Sequence, residues 1–239
     1  TLVGAMGLEL GAMTVLIYCM EARDLLWDRL TEIAGARLTS NYARIGGVAR
    51  GVPEGWQEKV EKSLDQVAEL REEIGKLLSR NRIVMDRLQG TGAISREEAV
   101  DYGFTGPCLR ATGASYDVRK ASPYLVYDRL DFDVPVGSRG DNFDRYLVRM
   151  EEIRQSDRIV RQCFAQMKPG DIVVDDYRYV LPPKPEVYGT IEGAIAHFKL
   201  VMEGIQVPAG EAYGYTEAAN GELGFYLVSD GGGRPWKIG

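Results

Sequence analysis

The chain has 239 residues, with Lys+Arg 29 against Asp+Glu 35, a formal net charge of −6, 45% hydrophobic and 27% charged residues. That apolar fraction supports a sizeable core and excludes a disordered chain, and the acidic balance argues against general electrostatic binding to nucleic acid. Cys19, Cys108 and Cys163 lie too far apart for a disulfide framework or a zinc knuckle, and a single histidine, His197, excludes a multi-histidine metal site within the chain.

The chain opens on Thr1, not Met, and its last strand is expected to stop at Lys237-Ile238-Gly239, so we expect a fragment of a longer chain. Residues 1–20, TLVGAMGLELGAMTVLIYCM, are apolar except for Thr1, Glu9, Thr14 and Tyr18. They lack the basic start and small-residue cleavage site of a signal peptide. The stretch is about as long as a bilayer span, and Gly7 and Gly11 form a GxxxG. Glu9 sits mid-span, however, and the pattern runs on into EARDLLWDRLTEIAG without a basic flank, so a buried soluble helix is the better reading. This first helix is expected from about residue 3 to Ala34. Its first half is apolar all round and so should be enclosed by other helices, and it ends at Gly35.

The loop SNYARIGGVARGVPEG follows. A second helix starts after Pro53, where Val60, Leu64, Val67, Leu70, Ile74 and Leu77 recur at helical spacing. Ser95 heads a short helix, SREEAVDYG, with Glu98 at the position a capping box requires. Residues 103–125 read as a long irregular loop, a type that is usually functional. VYDRLDFDVPVG suggests a short strand. Asp141 caps a third long helix through Met167, with Phe143, Leu147, Met150, Ile153, Val160, Phe164 and Met167 as its apolar stripe. The prolines of YVLPPKPEVY mark a linker. A fourth helix, about 187–204, is expected to bury Ile191, Ile195, Phe198 and Met202. The remainder reads as an antiparallel meander with a hairpin turn at Asn220-Gly221, and Gly231-Gly232-Gly233 as a further turn. The elements add up to an α+β fold, mainly α: a long-helix bundle with a small antiparallel sheet near the C-terminal end, in a single domain, 1–239.

Standard catalytic signatures are absent: no GxGxxG after a strand, no P-loop, no GxSxG, no HExxH and no Cys-x-x-Cys. We therefore expect no metal, cluster or nucleotide in the chain itself. Glu9 is the most informative residue, because a carboxylate inside an apolar helix is expensive to bury ionised and must either gain a partner or hold a proton. It is a buried ion pair or a proton-handling group, and the residues alone leave both open. Ala5 and Thr1, four and eight positions earlier, share its helical face and are small enough to leave room for a ligand or a close helix. The loop cations Arg44, Arg110, Arg119, Lys120 and Arg139 read first as fixing loops through carbonyls and carboxylates. Arg145, Arg149, Arg154 and Arg158, interleaved with Glu151 and Glu152, read as a solvated or subunit-facing surface of i, i+4 pairs.

Several consecutive blocks then carry a family: SNYARIGGV, GFTGPCLRATGASYDVRKASPY, FDVPVGSRGDNFDRYLVRMEEIRQS, HFKLVMEG and PAGEAYGYTEAANGELGFYLVSDGGGRPWKI. In order, and over essentially the whole chain, they resemble the D subunits of NADH:quinone oxidoreductase, respiratory complex I. That family is itself similar to nickel–iron hydrogenase large subunits, a mainly helical fold. The resemblance implies a peripheral-arm core subunit that forms the quinone-reduction pocket beside the terminal iron–sulfur cluster of a partner subunit. It also implies FMN and further clusters in other subunits, quinone as substrate, a membrane arm, and a peripheral position on the cytoplasmic side of the bacterial inner membrane. The chain alone would be inactive. The family pattern begins before Thr1, with a hairpin histidine and a tyrosine that meet the quinone headgroup, and continues past Gly239. In the block GLELGAMT the family's usual aspartate contacts that histidine; Glu9 keeps the carboxylate. Glu9 is thus the candidate catalytic residue, with Thr1 and Ala5 beside it at the substrate. Thr39 and Arg44 are the candidates facing the cluster, and Thr39 stands where many members have histidine. Two other classes are a membrane-bound nickel–iron hydrogenase-type large subunit, whose paired cysteines would lie outside this stretch, and a scaffold without redox chemistry.

Overall fold

The structure, a computed structural model, describes residues 1–239. The fold is mainly helical, with three helices of 22 to 25 residues and two small antiparallel sheets. The chain divides into two compact units. One comprises Thr1–Leu30, Glu54–Met167 and Thr216–Leu223; the other comprises Thr31–Pro53, Lys168–Tyr215 and Gly224–Gly239.

In the first unit the long N-terminal helix expected from the sequence is two helices, α1 (Leu2–Glu9) and α2 (Met13–Ala34). The break has a specific cause. Gly11 adopts φ +85°, its N–H donates to Leu8 O at 2.9 Å, and the Ala12 N–H donates to Gly7 O at 2.8 Å. This pair of bonds around a left-handed glycine is the Schellman termination of a helix. Gly11 therefore ends α1 instead of joining Gly7 in a GxxxG contact. The chain turns back and α1 packs on α2 through glycines: a Cβ on Gly4 would lie 2.8 Å from Cys19 Cβ, and one on Gly7 would lie 2.9 Å from Val15 Cγ1. Enclosure by other helices is only partial, because Leu2, Leu8, Met13 and Ile17 are exposed. No helix is long and apolar enough to cross a membrane.

Helices α3 (Trp56–Leu78), α4 (Arg82–Leu88) and α8 (Asn142–Gln166) complete the core with α1 and α2. Between them run three shorter helices, α5 (Arg96–Asp101), α6 (Gly106–Arg110) and α7 (Val118–Ala121). The core joins Val3, Val15, Cys19, Ile74, Leu78, Val84, Leu88, Phe143 and Tyr146. Burial raises the pKa of both the Cys19 thiol and the Tyr146 phenol. Tyr146 keeps its hydroxyl satisfied by sharing a hydrogen bond of 2.8 Å with Ser79. On α3 the inward residue of the last turn is Leu78, fully buried, and not Leu77, which is 43% exposed. On α8 the buried set is Phe143, Asp144, Tyr146, Val148, Gln155 and Ile159, whereas Leu147, Ile153 and Met167 of the expected stripe are exposed.

The polar members of that set explain the difference, since hydropathy cannot mark a face whose work is hydrogen bonding. Asp144 accepts from the N–H groups of Ser138 and Arg139, each at 2.7 Å, and Asp141 caps the helix by accepting from Asp144 N–H at 2.9 Å. Gln155 and Gln162 accept from the N–H groups of Asp133 and Asp131. Leu130 and Phe132 are buried, and the N–H groups of Asp131 and Asp133 go to α8 side chains, so the strand expected there does not form. Ser95 and Glu98 complete the reciprocal capping box at the start of α5, and Glu98's pKa is lowered by the hydrogen bonds from Ser95.

The second unit holds β1 (Ala43–Arg44) paired with β2 (Gly47–Val48), helices α9 (Lys184–Gly189) and α10 (Ile191–Met202), and most of a sheet ordered β3 (Gly210–Ala218), β4 (Gly221–Ser229), β5 (Lys237–Ile238). The expected fourth helix is split at Thr190, whose Oγ1 accepts from Gly193 N–H and donates to Glu186 O, both at 3.0 Å. This cap folds α10 back on α9 through Gly193, where a Cβ would meet Glu186 O at 2.6 Å. Ile191, Ile195, Phe198 and Met202, expected inside, therefore lie outside and are 50–76% exposed. The triple glycine 231–233 is the turn between β4 and β5.

The inward register of α3 gives a direct test. Leu78→Ala should cost about 2–5 kcal/mol of unfolding free energy, the usual cost of emptying a buried leucine site. Leu77→Ala should cost within roughly 0.5 kcal/mol, as at exposed positions. Urea unfolding of both variants checks the contrast.

Candidate functional site

Thr1, Ala5 and Glu9 lie at i, i+4 and i+8 along α1, and all three are exposed. The opposite side of the helix carries the buried Val3, Gly4 and Gly7. The shared face expected from the spacing is therefore present as an open line of small side chains ending in a carboxylate. Glu9 is not, however, the mid-helix buried carboxylate that the apolar run suggested. Because Gly11 terminates α1, Glu9 is the helix's last residue and its side chain is exposed. A carboxylate at a helix C-terminus is disfavoured by the helix dipole, so stability of α1 does not account for an acid there.

Thr39 and Arg44 belong to the second unit. Both are exposed, and Arg44 in β1 donates its Nε to Asn41 O at 3.3 Å. His197 lies in α10 and is half-buried. The five loop cations do not converge on one site: Arg139 and Lys120 are exposed, while Arg110 and Arg119 turn inward. No group of three His, Cys, Asp or Glu side chains is arranged to hold a metal ion, and all three cysteines are free thiols.

The strongest electrostatic feature lies in the segment the sequence left irregular. Arg110, the last residue of α6, is 1% exposed. Its Nε donates to Glu152 Oε1 at 2.9 Å, its Nη2 donates to the same oxygen and to Glu217 Oε1 at 2.8 Å, and its Nη1 donates to Tyr116 O at 3.0 Å. Asp117 Oδ2 is 3.6 Å from Nη1. Arg119 closes the group, gripping Asp117 through its own backbone N–H, its Nε at 2.9 Å and its Nη2 at 2.6 Å. The Arg119 guanidinium also stacks 4.9 Å from the Phe132 ring.

Burial opposes the charged form of Asp117, yet the hydrogen bonds and charge of Arg119, with Arg110 beyond, hold its carboxyl below its ordinary value. Burial likewise opposes the charge on Arg119, and Asp117 outweighs it, keeping that guanidinium's value above the ordinary one. Glu152 behaves oppositely: burial pushes it up, and the pull of Arg110 and Arg119 does not restore it.

The cluster also fixes the hairpin tip, 216–223. Glu217 Oε2 accepts from Val118 N–H at 3.3 Å, Glu217 N–H donates to Tyr124 Oη at 3.1 Å, and Glu222 N–H donates to Thr105 Oγ1 at 3.0 Å. Gly106 and Gly221 meet so closely that a Cβ on Gly106 would lie 2.3 Å from Gly221 Cα. The arginines of α8 are also less solvated than expected. Arg145 donates to Gly92 O and Gly140 O, and Glu152 faces inward to Arg110. Arg154–Glu151 is a surface pair, but at i, i+3 and not at the expected i, i+4. Sequence reading preferred a loop-fixing role for Arg110 and Arg119, which the contacts bear out. It did not find Glu217 as their partner, because 107 positions separate it from Arg110 and nothing local marks the pairing.

The family described as respiratory-chain NADH dehydrogenase, 49 Kd subunit, matches residues 9–239. Over its whole length the chain is 76% identical to one of the NADH-quinone oxidoreductase D subunits of Anaeromyxobacter sp. strain K, covering 56% of that protein. It is 61% identical to the NADH-quinone oxidoreductase D subunit of Myxococcus xanthus strain DK1622, again over its whole length and covering 57% of the relative. The corresponding protein of Pelobacter propionicus strain DSM 2379 is 52% identical over the whole chain, which covers 59% of it. The chain thus spans somewhat more than half the length of these curated relatives. Match and identities run through both compact units, and the chain belongs to the respiratory-chain NADH dehydrogenase 49 Kd subunit family.

Proposed function

We propose that the chain is the quinone-site core subunit of a proton-translocating NADH:quinone oxidoreductase. It would act in the peripheral arm, beside the subunit that carries the terminal iron–sulfur cluster, and on the cytoplasmic side of the bacterial inner membrane. The observation that carries this reading is the 76% identity to a protein named as an NADH-quinone oxidoreductase D subunit, sustained over all 239 residues. The chain itself would hold no cofactor; FMN and the clusters of partner subunits would supply the electrons, and quinone would be the substrate.

Reducing a quinone to a quinol takes two electrons and two protons, so the pocket needs a proton donor near the carbonyl oxygens. In this reading Glu9 orients and recharges the headgroup histidine of the family pattern, which lies outside this chain. The exposed line Thr1–Ala5–Glu9 supports the assignment, because a carboxylate at its end is open to a group from outside the chain. Thr1 and Ala5 would then flank the headgroup. Thr39 and Arg44 would face the terminal cluster, and their exposure in the second unit leaves both open to a partner surface.

Two outcomes test this. In the assembled complex, Glu9→Gln should assemble normally and leave reduction of the clusters by NADH intact, but slow quinone reduction at least several-fold. Glu9→Asp should retain much of the activity, because it keeps the carboxylate. Turnover per assembled complex measures both, and a Glu9→Gln complex with parental turnover removes Glu9 from the mechanism. Separately, threonine does not titrate near neutral pH and histidine does. The terminal cluster's potential should therefore fall less steeply with pH than in relatives with histidine at position 39, as read in a redox titration of the complex.

A further inference from the structure

The Arg110 cluster places three carboxylates, Asp117, Glu152 and Glu217, around two guanidiniums, Arg110 and Arg119. The carboxylate side chains are 0%, 17% and 4% exposed, and the guanidinium side chains 1% for Arg110 and 13% for Arg119. Fully ionised, this group carries one negative charge in excess, largely buried and open to water chiefly at Glu152 and Arg119. An uncompensated buried charge is costly, and a buried group relieves that cost most readily by taking a proton.

The three acids are not equivalent. Asp117 uses both oxygens, with Arg119 on each and Arg110 near Oδ2. Glu217 also uses both, one on Arg110 and one on the Val118 N–H. Glu152 offers a single oxygen, Oε1, to Arg110, and its Oε2 accepts nothing. It is also the most exposed of the three and so the one with a path to solvent. We infer that the cluster is a one-proton binding site, with Glu152 Oε2 as the atom that takes the proton from solvent.

The uptake neutralises the cluster and makes or breaks no other covalent bond. The charged groups acting on Glu152 are Arg110 from α6, Arg119 from α7 and Glu217 from β3. Asp117 meets the two arginines, and on α8 itself Arg149 reaches Cys108 Sγ while Glu151 pairs outward with Arg154. The upward push of burial on Glu152 agrees with this placement. The proton also has a structural consequence. Arg110 Nη2 serves Glu152 and Glu217 together. Neutral Glu152 competes less for that donor, so Arg110 then holds Glu217, and with it the hairpin tip, more firmly.

Thermal unfolding of the full chain and of Glu152→Gln across pH tests the site. A group whose value is raised by folding contributes stability that is complete below its ordinary range and lost as pH rises through the raised value. Glutamine mimics the protonated form and does not titrate. The two proteins should unfold at similar temperatures in acid, and the parent should fall a few degrees below the variant as pH rises to mildly alkaline. A variant less stable than the parent at neutral pH, with the gap closing in acid, would mean that the cluster is fully ionised, and would overturn the inference. So would a gap that does not change with pH. Should the variant not fold, hydrogen exchange of the parent decides: after correction for intrinsic rates, the Val118 amide should be better protected below the transition than above it. Equal protection on both sides overturns the site.

Discussion

Arg110 is 1% exposed, and a guanidinium cannot give up its proton to lower the cost of burial. Every element that meets it must therefore supply an acceptor. Helix α8 supplies Glu152, the loop before α7 supplies Asp117 and the Tyr116 carbonyl, and the hairpin tip supplies Glu217. Three stretches are thus tied to one side chain, two of them distant in sequence. The backbone around it follows: Arg110 O accepts from Gly137 N–H at 2.8 Å and Ala111 O from Gly140 N–H at 2.9 Å. Those contacts lead directly to the Asp141 and Asp144 caps that start α8.

The candidate quinone-facing line rests on a different constraint, the glycines of α1. Gly4 and Gly7 let α1 lie against α2 closer than any side chain would permit, and Gly11 makes the turn between them. With one side of α1 closed in this way, the other side is left open, and that side carries Thr1, Ala5 and Glu9. The same turn moves Glu9 from the middle of an apolar run to the end of a helix. Its chemistry is thereby changed from that of an isolated interior charge to that of a carboxylate available to an outside group.

Much of the fold was legible because its signals are local. The helical spacing of Val60, Leu64 and Ile74, the Ser95–Glu98 box, the Asp141 cap and the β3–β4 hairpin, whose turn falls at Ala219-Asn220, one position before the Asn220-Gly221 expected, each depend on residues a few positions apart. The misreadings share one physical origin, in that the deciding partner is distant or polar. Gly11 was legible as a small residue, but whether it joins a helix contact or ends the helix depends on the chain that follows. Leu130 and Phe132 alternate with polar residues as in a strand, yet the N–H groups of Asp131 and Asp133 between and after them go to Gln162 and Gln155. The apolar stripe of α10 was assigned to the interior, but the Thr190 cap and Gly193 turned the helix so that it faces outward. Family resemblance supplied the position of Glu9 in the expected chemistry, and no periodicity could have done so.

That Arg110 holds the hairpin tip against the helices of the first unit through Glu217 is open to one direct measurement. A double-mutant cycle of Arg110→Met and Glu217→Gln, read as unfolding free energies of the full chain, isolates that pair from the rest of the cluster. A coupling of about 1–3 kcal/mol is the result this account predicts. Additive effects, with coupling near zero, would show that the tip is held by its other contacts and that Arg110 is not the residue on which the arrangement depends.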